Sequence, residues 1–443
     1  MHTILVQINT AKGKEFLFTD KEKNMKKLKI VGGNKLFGSI EISTAKNSVL
    51  PIIGASLLVD GTTEIMSFPN FTDCDVMLDI IASFGAKITK NIQSVSINTK
   101  TISSSFATNE LVQKIRGSFF CFGAILARRK RAVFAYPGGC NIGARPIDMH
   151  LKAFCDLGIK VEDRHGYIYA EVINYNGGTV YLDFPSVGVT ENIMLLACTL
   201  SGTTIIKNPA KEPEIVDLQN FLISAGAEIY GAGTDEIVIK GVNKLLNSSV
   251  YKPIGDRIIA GTYMVAVACC GGLVEFKNIY LNHLQDLAEK LRFSGVSIEE
   301  KKEGSFIVKS SRKLKAIPLI QTNPYPYFPT DLQPQIAVMQ SISNGDSIVI
   351  ENIFESRLGY VSQLVKMGAK IKVKNNMAFI TGVKKLLGAE VQAPDLRAGA
   401  GLVIAGLVAS GYTTIEGVQY IDRGYENIER QLSSLGAEIA RVE

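Results

Sequence analysis

A glycine-centred turn recurs six times along the chain at nearly constant spacing. Each turn follows a helix-like stretch and leads into a strand-like stretch. Successive turns are 68 to 73 residues apart, and their glycines are Gly85, Gly158, Gly226, Gly295, Gly368 and Gly436. Because spacing this regular marks repeated supersecondary units, the sequence predicts six copies of one structural unit.

Each copy shows the same succession of patterns. A strand that opens on a small residue comes first, as in residues 61–65, and a helical pattern follows it. The glycine turn with its strand comes next, and then a hairpin partner such as residues 95–98 or 236–240. A second helical pattern closes the unit, for example over residues 111–127 or 395–409. The order of these periodicities predicts a β-α-β-β-α unit.

The length of the chain decides how the units are grouped. A chain of 443 residues exceeds what one hydrophobic core usually serves. We therefore expect two pseudo-threefold α/β domains of three units each, with a cleft between them and a boundary near residues 250–256. The strand at residues 28–31 precedes the first unit and is expected to complete the second domain. One domain would then span residues 46–253, and the other residues 25–45 plus 254–443.

The N-terminal segment differs from the repeats. Residues 1–24 have little apolar periodicity, so we expect an N-terminal extension, with disorder left open and Met25 as an alternative start. No basic segment followed by an apolar core suggests a secretory signal. The apolar runs at residues 258–274 and 398–408 are short and interrupted, which favours buried helices over membrane spans. A cytoplasmic location without a membrane partner is expected.

The charged and metal-binding residue types favour a small anionic substrate. The net charge of +6 is spread along the chain, and the longest basic block is Arg128-Arg129-Lys130-Arg131. No basic run alternates with aromatic residues, so no nucleic-acid partner is expected. Seven cysteines without a C-x-x-C spacing and four histidines without an H-x-x-x-H pattern argue against a disulfide framework and a metal site. We predict neither a metal nor a cofactor.

One cysteine has a different setting from the others. Cys140 lies in the glycine-rich stretch of residues 137–150 and precedes Arg145 by five residues. A thiol on a flexible loop in a cationic field is typical of a reactive cysteine, and the alternative is an ordinary turn that contains a cysteine. Burial is instead expected for four cysteines in apolar helical stretches, Cys155, Cys198, Cys269 and Cys270.

Cations recur at equivalent places in the units, in strand-to-helix loops and at the starts of closing helices. They are Lys46, Arg116, Arg145, Arg357, Arg397 and Arg423. If they share one cleft with the helix N-termini, the cleft suits phosphate and carboxylate groups. Taken singly, each is also explained as a solvated surface charge, and the Ser, Thr and Asp residues nearby as ordinary N-caps.

Five motifs together resemble one enzyme family. They are the pair Lys46-Asn47, residues 137–146 (PGGCNIGARP), residues 328–331 (FPTD), residues 395–397 (DLR) and residues 422–426 (DRGYE). From Met25 to the C-terminus, the chain is similar to the UDP-N-acetylglucosamine enolpyruvyl transferases. That family groups with the enolpyruvylshikimate phosphate synthases, so the resemblance implies two inside-out α/β domains of three units each, with the active site in the interdomain cleft. The shikimate branch lacks the Gly-Gly-Cys loop.

The resemblance implies a reaction and its substrates. The enolpyruvyl group of phosphoenolpyruvate would be transferred to the 3-hydroxyl of UDP-N-acetylglucosamine with release of phosphate, without a cofactor. This is the first committed step of peptidoglycan synthesis, and so of cell-wall biogenesis. The resemblance leaves the oligomeric state open.

The resemblance also implies roles for individual residues. Cys140 would act as general acid towards the methylene carbon of phosphoenolpyruvate, and it could become attached to that substrate or be alkylated by the inhibitor fosfomycin. Asp331, aided by Asn47, would accept the proton of the sugar hydroxyl. The phosphate of phosphoenolpyruvate would be held by Lys46, Arg145 and Arg423, with Arg357 and Arg397 near the reacting centre. The nucleotide and sugar contacts would come from Arg116, Asp148, Met149, Ser186, Val187, Gly188, Ile353 and Phe354, and the predicted binding set also includes Pro146, Ile147 and Asp395.

The chain departs from the family pattern at three outer positions. Phe120 stands where the family often has tryptophan, and Thr72 and Phe184 stand where some members place lysine. Two other functions remain as alternatives. One is the reaction of the shikimate branch, and the other is a catalytically idle paralogue that binds UDP-sugars and regulates.

Overall fold

The structure, a computed structural model, describes residues 5–10, 13–18, 26–138, 147–246, 250–302 and 304–442. Cys140, Arg145 and Pro146 of the predicted site lie outside the described residues. The described strands are β1 Leu5–Thr10, β2 Gly13–Phe18, β3 Lys27–Val31, β4 Leu36–Glu41, β5 Thr62–Met66, β6 Lys87–Lys90, β7 Ser94–Asn98, β8 Phe106–Ala107, β9 Arg131–Ala135, β10 Ile159–Arg164, β11 Tyr167–Val172, β12 Gly177–Tyr181, β13 Thr203–Lys207, β14 Glu228–Tyr230, β15 Glu236–Lys240, β16 Val250–Tyr251, β17 Gly272–Lys277, β18 Ser297–Lys302, β19 Ser305–Ser310, β20 Leu319–Gln321, β21 Asp346–Ile350, β22 Lys370–Lys374, β23 Met377–Thr381, β24 Glu390–Gln392, β25 Tyr412–Glu416 and β26 Glu438–Val442.

The helices alternate with these strands. The described α-helices are α1 Lys46–Ser56, α2 Thr72–Ser83, α3 Asn109–Val112, α4 Phe120–Arg129, α5 Asp148–Asp156, α6 Val187–Ala197, α7 Pro213–Ser224, α8 Arg257–Cys270, α9 Gln285–Phe293, α10 Gln333–Ser341, α11 Val361–Lys366, α12 Leu396–Val408, α13 Val418–Ile421 and α14 Ile428–Ser434. Short 3-10 helices cover Arg116–Phe119, Leu281–Leu284, Thr330–Leu332 and Arg357–Tyr360. Within the described ranges, no helix combines the length and the apolar content needed to cross a membrane.

Strands β3 to β26 form six four-stranded sheets within the described part of the chain. In each sheet one edge strand runs parallel to its neighbour, and the remaining strands pair antiparallel. The strand orders are β16-β5-β7-β6, β8-β9-β11-β10, β12-β13-β15-β14, β4-β17-β19-β18, β20-β21-β23-β22 and β24-β25-β3-β26. This repeated topology confirms the mixed α/β fold of six similar units.

The recurring glycines end one helix in each unit. All six have a positive φ, between 78° and 107°, which glycine adopts without the steric cost of a Cβ atom. After α7, for example, the amide of Ala227 donates to the carbonyl of Leu222 at 2.9 Å, and the amide of Gly226 donates to Ile223 at 2.9 Å. These two bonds form a Schellman cap, which satisfies carbonyl groups at the end of the helix. The spacing of the repeat is therefore the spacing of its helix ends.

The closing helices lie inside the molecule, and the sheets lie outside them. Every residue of α8, α10 and α12 is buried, and these three helices pack against one another. Helix α1 packs against α4, and α4 packs against α6, in a second group. Burial on all sides favours helices that are largely apolar around their circumference, as α8 is, although α10 also buries Gln333, Gln335 and Gln340. This arrangement confirms the predicted inside-out architecture.

Strands β3 and β4 belong to sheets whose other strands come from the second half of the chain. Strand β3 pairs with β25 and β26, and β4 pairs with β17. The chain then reaches the first group of sheets at α1 and returns after β16. These pairings support a division into residues 46–253 and residues 25–45 plus 254–443, and that division stays a prediction. Strands β1 and β2 pair with each other, and the assignment of residues 1–24 as an extension also stays a prediction.

Two expectations about helices were wrong in detail. The stretch at residues 111–127 is divided among α3, a 3-10 helix and α4, because Ile115 adopts an extended conformation with φ −141° and ψ 147°. A Cβ atom on Gly138 would lie 1.9 Å from the carbonyl oxygen of Gln113, so this break brings two distant backbone segments into contact. Cys155 is exposed, because it lies on the solvent face of α5, whereas Cys198, Cys269 and Cys270 are buried as expected.

Candidate active site

A cavity of about 480 Å³ lies between the two groups of buried helices. Its lining combines residues of both groups, and it includes these residues of the predicted set: Lys46, Asn47, Arg116, Met149, Ser186, Val187, Gly188, Asp331, Ile353, Phe354, Arg357, Asp395, Arg397 and Arg423. Ile147 and Asp148 lie outside its described lining, immediately before and at the start of α5. The fold thus brings residues that are distant in sequence to one cavity.

Helix N-termini frame the cavity. Asp395 caps α12 by accepting from the amides of Arg397 at 2.9 Å and Ala398 at 3.1 Å, and the Ser186 hydroxyl accepts from Val189 at 3.5 Å at the start of α6. The N-cap interpretation is therefore correct for Ser186 and Asp395. Asp331 makes no described capping bond, so its carboxylate is available for other partners.

A first ionic cluster joins the two groups of helices. The Asp73 carboxylate lies 2.6 Å from Lys46 Nζ and accepts from Arg423 Nε at 3.0 Å and Nη2 at 3.2 Å. Asp73 and Lys46 belong to α2 and α1, whereas Arg423 follows α13. Burial opposes ionisation of Asp73, but the charge of Lys46 and the hydrogen bond from Arg423 hold the pKa of Asp73 below its ordinary value. The carboxylate therefore stays ionised between two cations.

A second ionic cluster surrounds Asp331. One carboxylate oxygen lies 2.6 Å from Arg357 Nη2, and the other lies 3.0 Å from Arg397 Nε and 2.9 Å from its Nη2. The side chains of Arg357 and Arg397 are only 2% and 5% exposed. Burial opposes ionisation of Asp331, but the charges of Arg397 and Arg357 hold its pKa far below the ordinary value. In this state Asp331 is a hydrogen-bond acceptor with little affinity for a proton.

Three glutamate side chains also line the cavity, and none of them was predicted from the sequence. They are Glu191, Glu212 and Glu214. Glu214 accepts from Arg257 Nε at 3.0 and 3.1 Å and so joins α7 to α8. Both carboxylate oxygens of Glu191 are buried and have no hydrogen-bond partner among the described residues. Burial, together with the charges of Glu214 and Glu212, raises the pKa of Glu191 well above its ordinary value. A buried carboxyl group without a partner is expected to be neutral.

The sequence also missed His150, although it follows the predicted Met149. Its ring meets the Phe119 ring edge-on at 4.9 Å, and its Nδ1 lies 3.4 Å from the Asn192 amide nitrogen. Burial and the charge of Arg116 lower the pKa of His150 to about 3. His150 is therefore neutral at physiological pH and contributes a ring without charge to this wall of the cavity.

Two of the three positions that depart from the family pattern lie at the cavity. Phe120 and Phe184 both line the cavity. A phenyl ring thus stands at the position of the expected tryptophan and at that of the expected lysine. Thr72 begins α2 directly before Asp73 and lies outside the described lining.

The comparisons with known proteins agree with this architecture. Residues 30–432 match the family of EPSP synthase (3-phosphoshikimate 1-carboxyvinyltransferase). Two solved structures show the same fold. The enolpyruvyl transferase NikO from Streptomyces tendae has a TM-score of 0.84 and 22% identity over 94% of this chain and 99% of its own. EPSP synthase from Acinetobacter baumannii has a TM-score of 0.73 and 18% identity over 94% of this chain and 100% of its own.

The sequence relatives are more similar to the chain and confirm the resemblance that the motifs carry. UDP-N-acetylglucosamine 1-carboxyvinyltransferase 2 of Caldanaerobacter subterraneus subsp. tengcongensis is 47% identical over 94% of this chain and 100% of its own. The protein of the same name from Carboxydothermus hydrogenoformans is 48% identical over the same shares. UDP-N-acetylglucosamine 1-carboxyvinyltransferase of Clostridium botulinum is 46% identical, again over 94% and 100%. The chain belongs to the UDP-N-acetylglucosamine 1-carboxyvinyltransferases of the EPSP synthase family.

Proposed function

We propose that this chain transfers the enolpyruvyl group of phosphoenolpyruvate to the 3-hydroxyl of UDP-N-acetylglucosamine and releases phosphate, as the first committed step of peptidoglycan biosynthesis. One observation carries the proposal. Lys46, Arg423, Arg357 and Arg397 converge on one cavity between the two groups of helices. Their charges suit a substrate that bears both a phosphate and a carboxylate.

The phosphate group would bind near Lys46 and Arg423. Both side chains line the cavity, and each already engages the same carboxylate, so they are close enough to contact one anion. Arg145, which lies outside the described residues, would add a third cation. Arg357 and Arg397 would lie on the side of the reacting carbon, where their charges would bind the carboxylate of phosphoenolpyruvate.

Asp331 would accept the proton of the attacking sugar hydroxyl. Its two arginines keep it ionised but also weaken it as a base. An anionic substrate that attracts Arg357 and Arg397 would reduce their hold on Asp331 and raise its affinity for a proton. Binding of phosphoenolpyruvate would thus activate the base, with Asn47 at the adjacent start of α1 positioning the sugar.

Cys140 would deliver a proton to the methylene carbon of phosphoenolpyruvate. The sugar oxygen would form a bond to the neighbouring carbon, and Asp331 would take the hydroxyl proton. Loss of a proton from the resulting methyl group and departure of phosphate would then regenerate the double bond.

The sugar nucleotide would lie along α6 and the facing loop. Ser186, Val187 and Gly188 present the N-terminus of α6, which favours an anionic diphosphate. Arg116 and Met149 adjoin them in the cavity lining, and Ile353 and Phe354 face them from the other group of helices. Pro146, Ile147 and Asp148 would make outer contacts. Asp395 caps α12 and lies 3.7 Å from Arg357, so its proposed role is to orient that arginine.

The proposal has consequences for location and partners. Phosphoenolpyruvate and nucleotide sugars are cytoplasmic metabolites, so we place the reaction in the cytoplasm. The partners would be these two small molecules, without a nucleic acid or a membrane, and the oligomeric state stays open.

A phosphate-release assay separates this function from its alternatives. Release should require both phosphoenolpyruvate and UDP-N-acetylglucosamine, and shikimate 3-phosphate should not replace the sugar nucleotide. Preincubation with fosfomycin should abolish release, because alkylation removes the thiol of Cys140. Release that depends on shikimate 3-phosphate would identify the shikimate-branch reaction. Binding of UDP-N-acetylglucosamine without any release would indicate an idle paralogue.

A further inference from the structure

Asp73 occupies the point at which the two phosphate-binding cations meet. Lys46 contacts it from α1 of the same group of helices, and Arg423 contacts it from the other group. Arg423 approaches side-on through Nε and Nη2, which is the paired geometry that guanidinium groups also use for phosphate. The carboxylate thus satisfies both cations with the type of contact that a substrate anion would make.

The surrounding backbone is arranged around this contact. A Cβ atom on Gly424 would lie 3.5 Å from Cδ of Lys46, so the segment after Arg423 packs on the lysine stem. The amide of Asn70 donates to Glu426 at 3.4 Å a few residues away. Asp73 itself is only 4% exposed. The two groups of helices therefore also contact each other beside the buried carboxylate of Asp73.

The negative charge of Asp73 weakens the attraction of this position for an incoming anion. Lys46 and Arg423 together carry two positive charges, and Asp73 cancels one of them. A phosphate that approaches these cations meets the repulsion of Asp73 at the same time. It must also exchange with the carboxylate for some of the same N–H donors.

We propose that Asp73 is a positioning residue, an internal counter-ion that orients Lys46 and Arg423 and competes with the phosphate-bearing substrate for both. In the free protein it holds the two cations together across the cleft. When the anion binds, the cations turn part of their hydrogen-bonding capacity from the carboxylate to the phosphate. Asp73 therefore weakens the binding of the anion, and it also orients the two cations. The inference rests on the proposed function only for the identity of the phosphate-bearing ligand.

The test is a calorimetric titration of the full chain with inorganic phosphate, without any turnover. Asp73→Asn preserves the shape of the side chain and removes its charge. We expect the dissociation constant for phosphate to fall about tenfold, because the repulsion is removed. An unchanged or larger dissociation constant would overturn the inference. Asp73→Ser is a second neutral variant with the same expectation if the Asn variant does not fold.

Two controls separate charge at this point from charge in general. Asp75→Asn makes the same change two residues further along α2, where the carboxylate is half-exposed and pairs with Lys90. It should leave phosphate binding unchanged. Asp73→Glu keeps the charge and should keep the dissociation constant within about threefold of the original value. Equal tightening in either control would contradict a specific role for the charge of Asp73.

Turnover supplies a readout that a purely structural role would not produce. In Asp73→Asn, we expect kcat to fall at least tenfold because the cations lose their orientation, while KM for phosphoenolpyruvate does not rise. A purely structural defect would instead raise KM for phosphoenolpyruvate as kcat falls. If the original chain turns over but Asp73→Asn does not tighten phosphate binding, the inference alone fails. If Asp73→Asn tightens binding but the original chain shows no turnover, the proposed function alone fails.

Discussion

Asp331 accepts hydrogen bonds from two guanidinium groups that water barely reaches. Arg357 and Arg397 are almost fully buried, whereas the Asp331 side chain is 24% exposed on the cavity side. The carboxylate is therefore the counter-charge on which both arginines depend, and it also faces the cavity. The same negative charge thus balances the two arginines and would accept the proton in the proposed reaction.

Replacing Asp331 by Asn should destabilise the protein as well as abolish turnover. Removal of one partner from a buried ion pair leaves an uncompensated charge, and we expect a loss of about 3–5 kcal/mol at pH 7. The pKa of Asp331 is depressed in the folded state, so its contribution is fully present above the unfolded pKa of about 3.9 and is lost as the pH falls below it. Thermal unfolding at pH 7 and at successively lower pH measures this. A stability difference that does not shrink below about pH 4 would contradict the assignment.

The sequence predicted the cations of the cavity better than their carboxylate partners. Lys46, Arg357 and Arg423 stand at repeated positions of the units, so the repeat itself points to them. Asp73 and Glu214 lie inside the first turns of ordinary helices, and an acidic residue there is fully explained by the helix dipole. Only the packing of α2 against Arg423, 350 residues away, and of α7 against Arg257, 43 residues away, reveals these pairs, and that packing is non-local.

The glycine turns show how one local feature determines an element of the fold. At Gly226 the φ of +102° is a conformation that side chains with a Cβ atom rarely adopt, and nothing lies within 4 Å of where that atom would be. The requirement for glycine is thus conformational and independent of crowding. A pattern of this kind is readable in the sequence because it depends on the backbone of one residue.

Replacing Gly226 by Ala should lower stability by about 1–2 kcal/mol without a change of fold, because the cost is that of a positive φ for a residue with a Cβ atom. Gly359 is the matched control, since it also has open space around it but no positive φ. Gly359→Ala should be neutral or slightly stabilising. Thermal unfolding of both variants checks this, and equal midpoints would show that the turn conformation is not what requires glycine.

The elements that sequence reasoning misjudged are those determined by distant contacts. Residues 111–127 have helical periodicity throughout, but Ile115 between α3 and α4 is extended, and beside this break Gln113 contacts Gly138. Cys155 lies in an apolar sequence environment, yet the face of α5 that carries it is turned to solvent. Periodicity identified these helices. It could not show where tertiary packing interrupts a helix or which face of a helix is exposed to solvent.

At the scale of the whole molecule, the two groups of sheets are joined by the chain and by ion pairs. The chain passes between them before α1 and after β16, and the amide of Lys46 donates to Asp256 at 3.1 Å beside these crossings. Two ion pairs between side chains also connect one group to the other. They are Asp73–Arg423 and Glu214–Arg257. The cavity lies among these pairs, so binding of an anion there bears directly on how the two groups are held together.

The central claim is that this cavity transfers an enolpyruvyl group to UDP-N-acetylglucosamine. The most direct measurement is mass spectrometry of the nucleotide after incubation of the chain with phosphoenolpyruvate and UDP-N-acetylglucosamine, with phosphate measured in the same sample. We predict that the nucleotide gains one enolpyruvyl group for each phosphate released. An unmodified nucleotide, or phosphate released without a matching nucleotide product, would contradict the account.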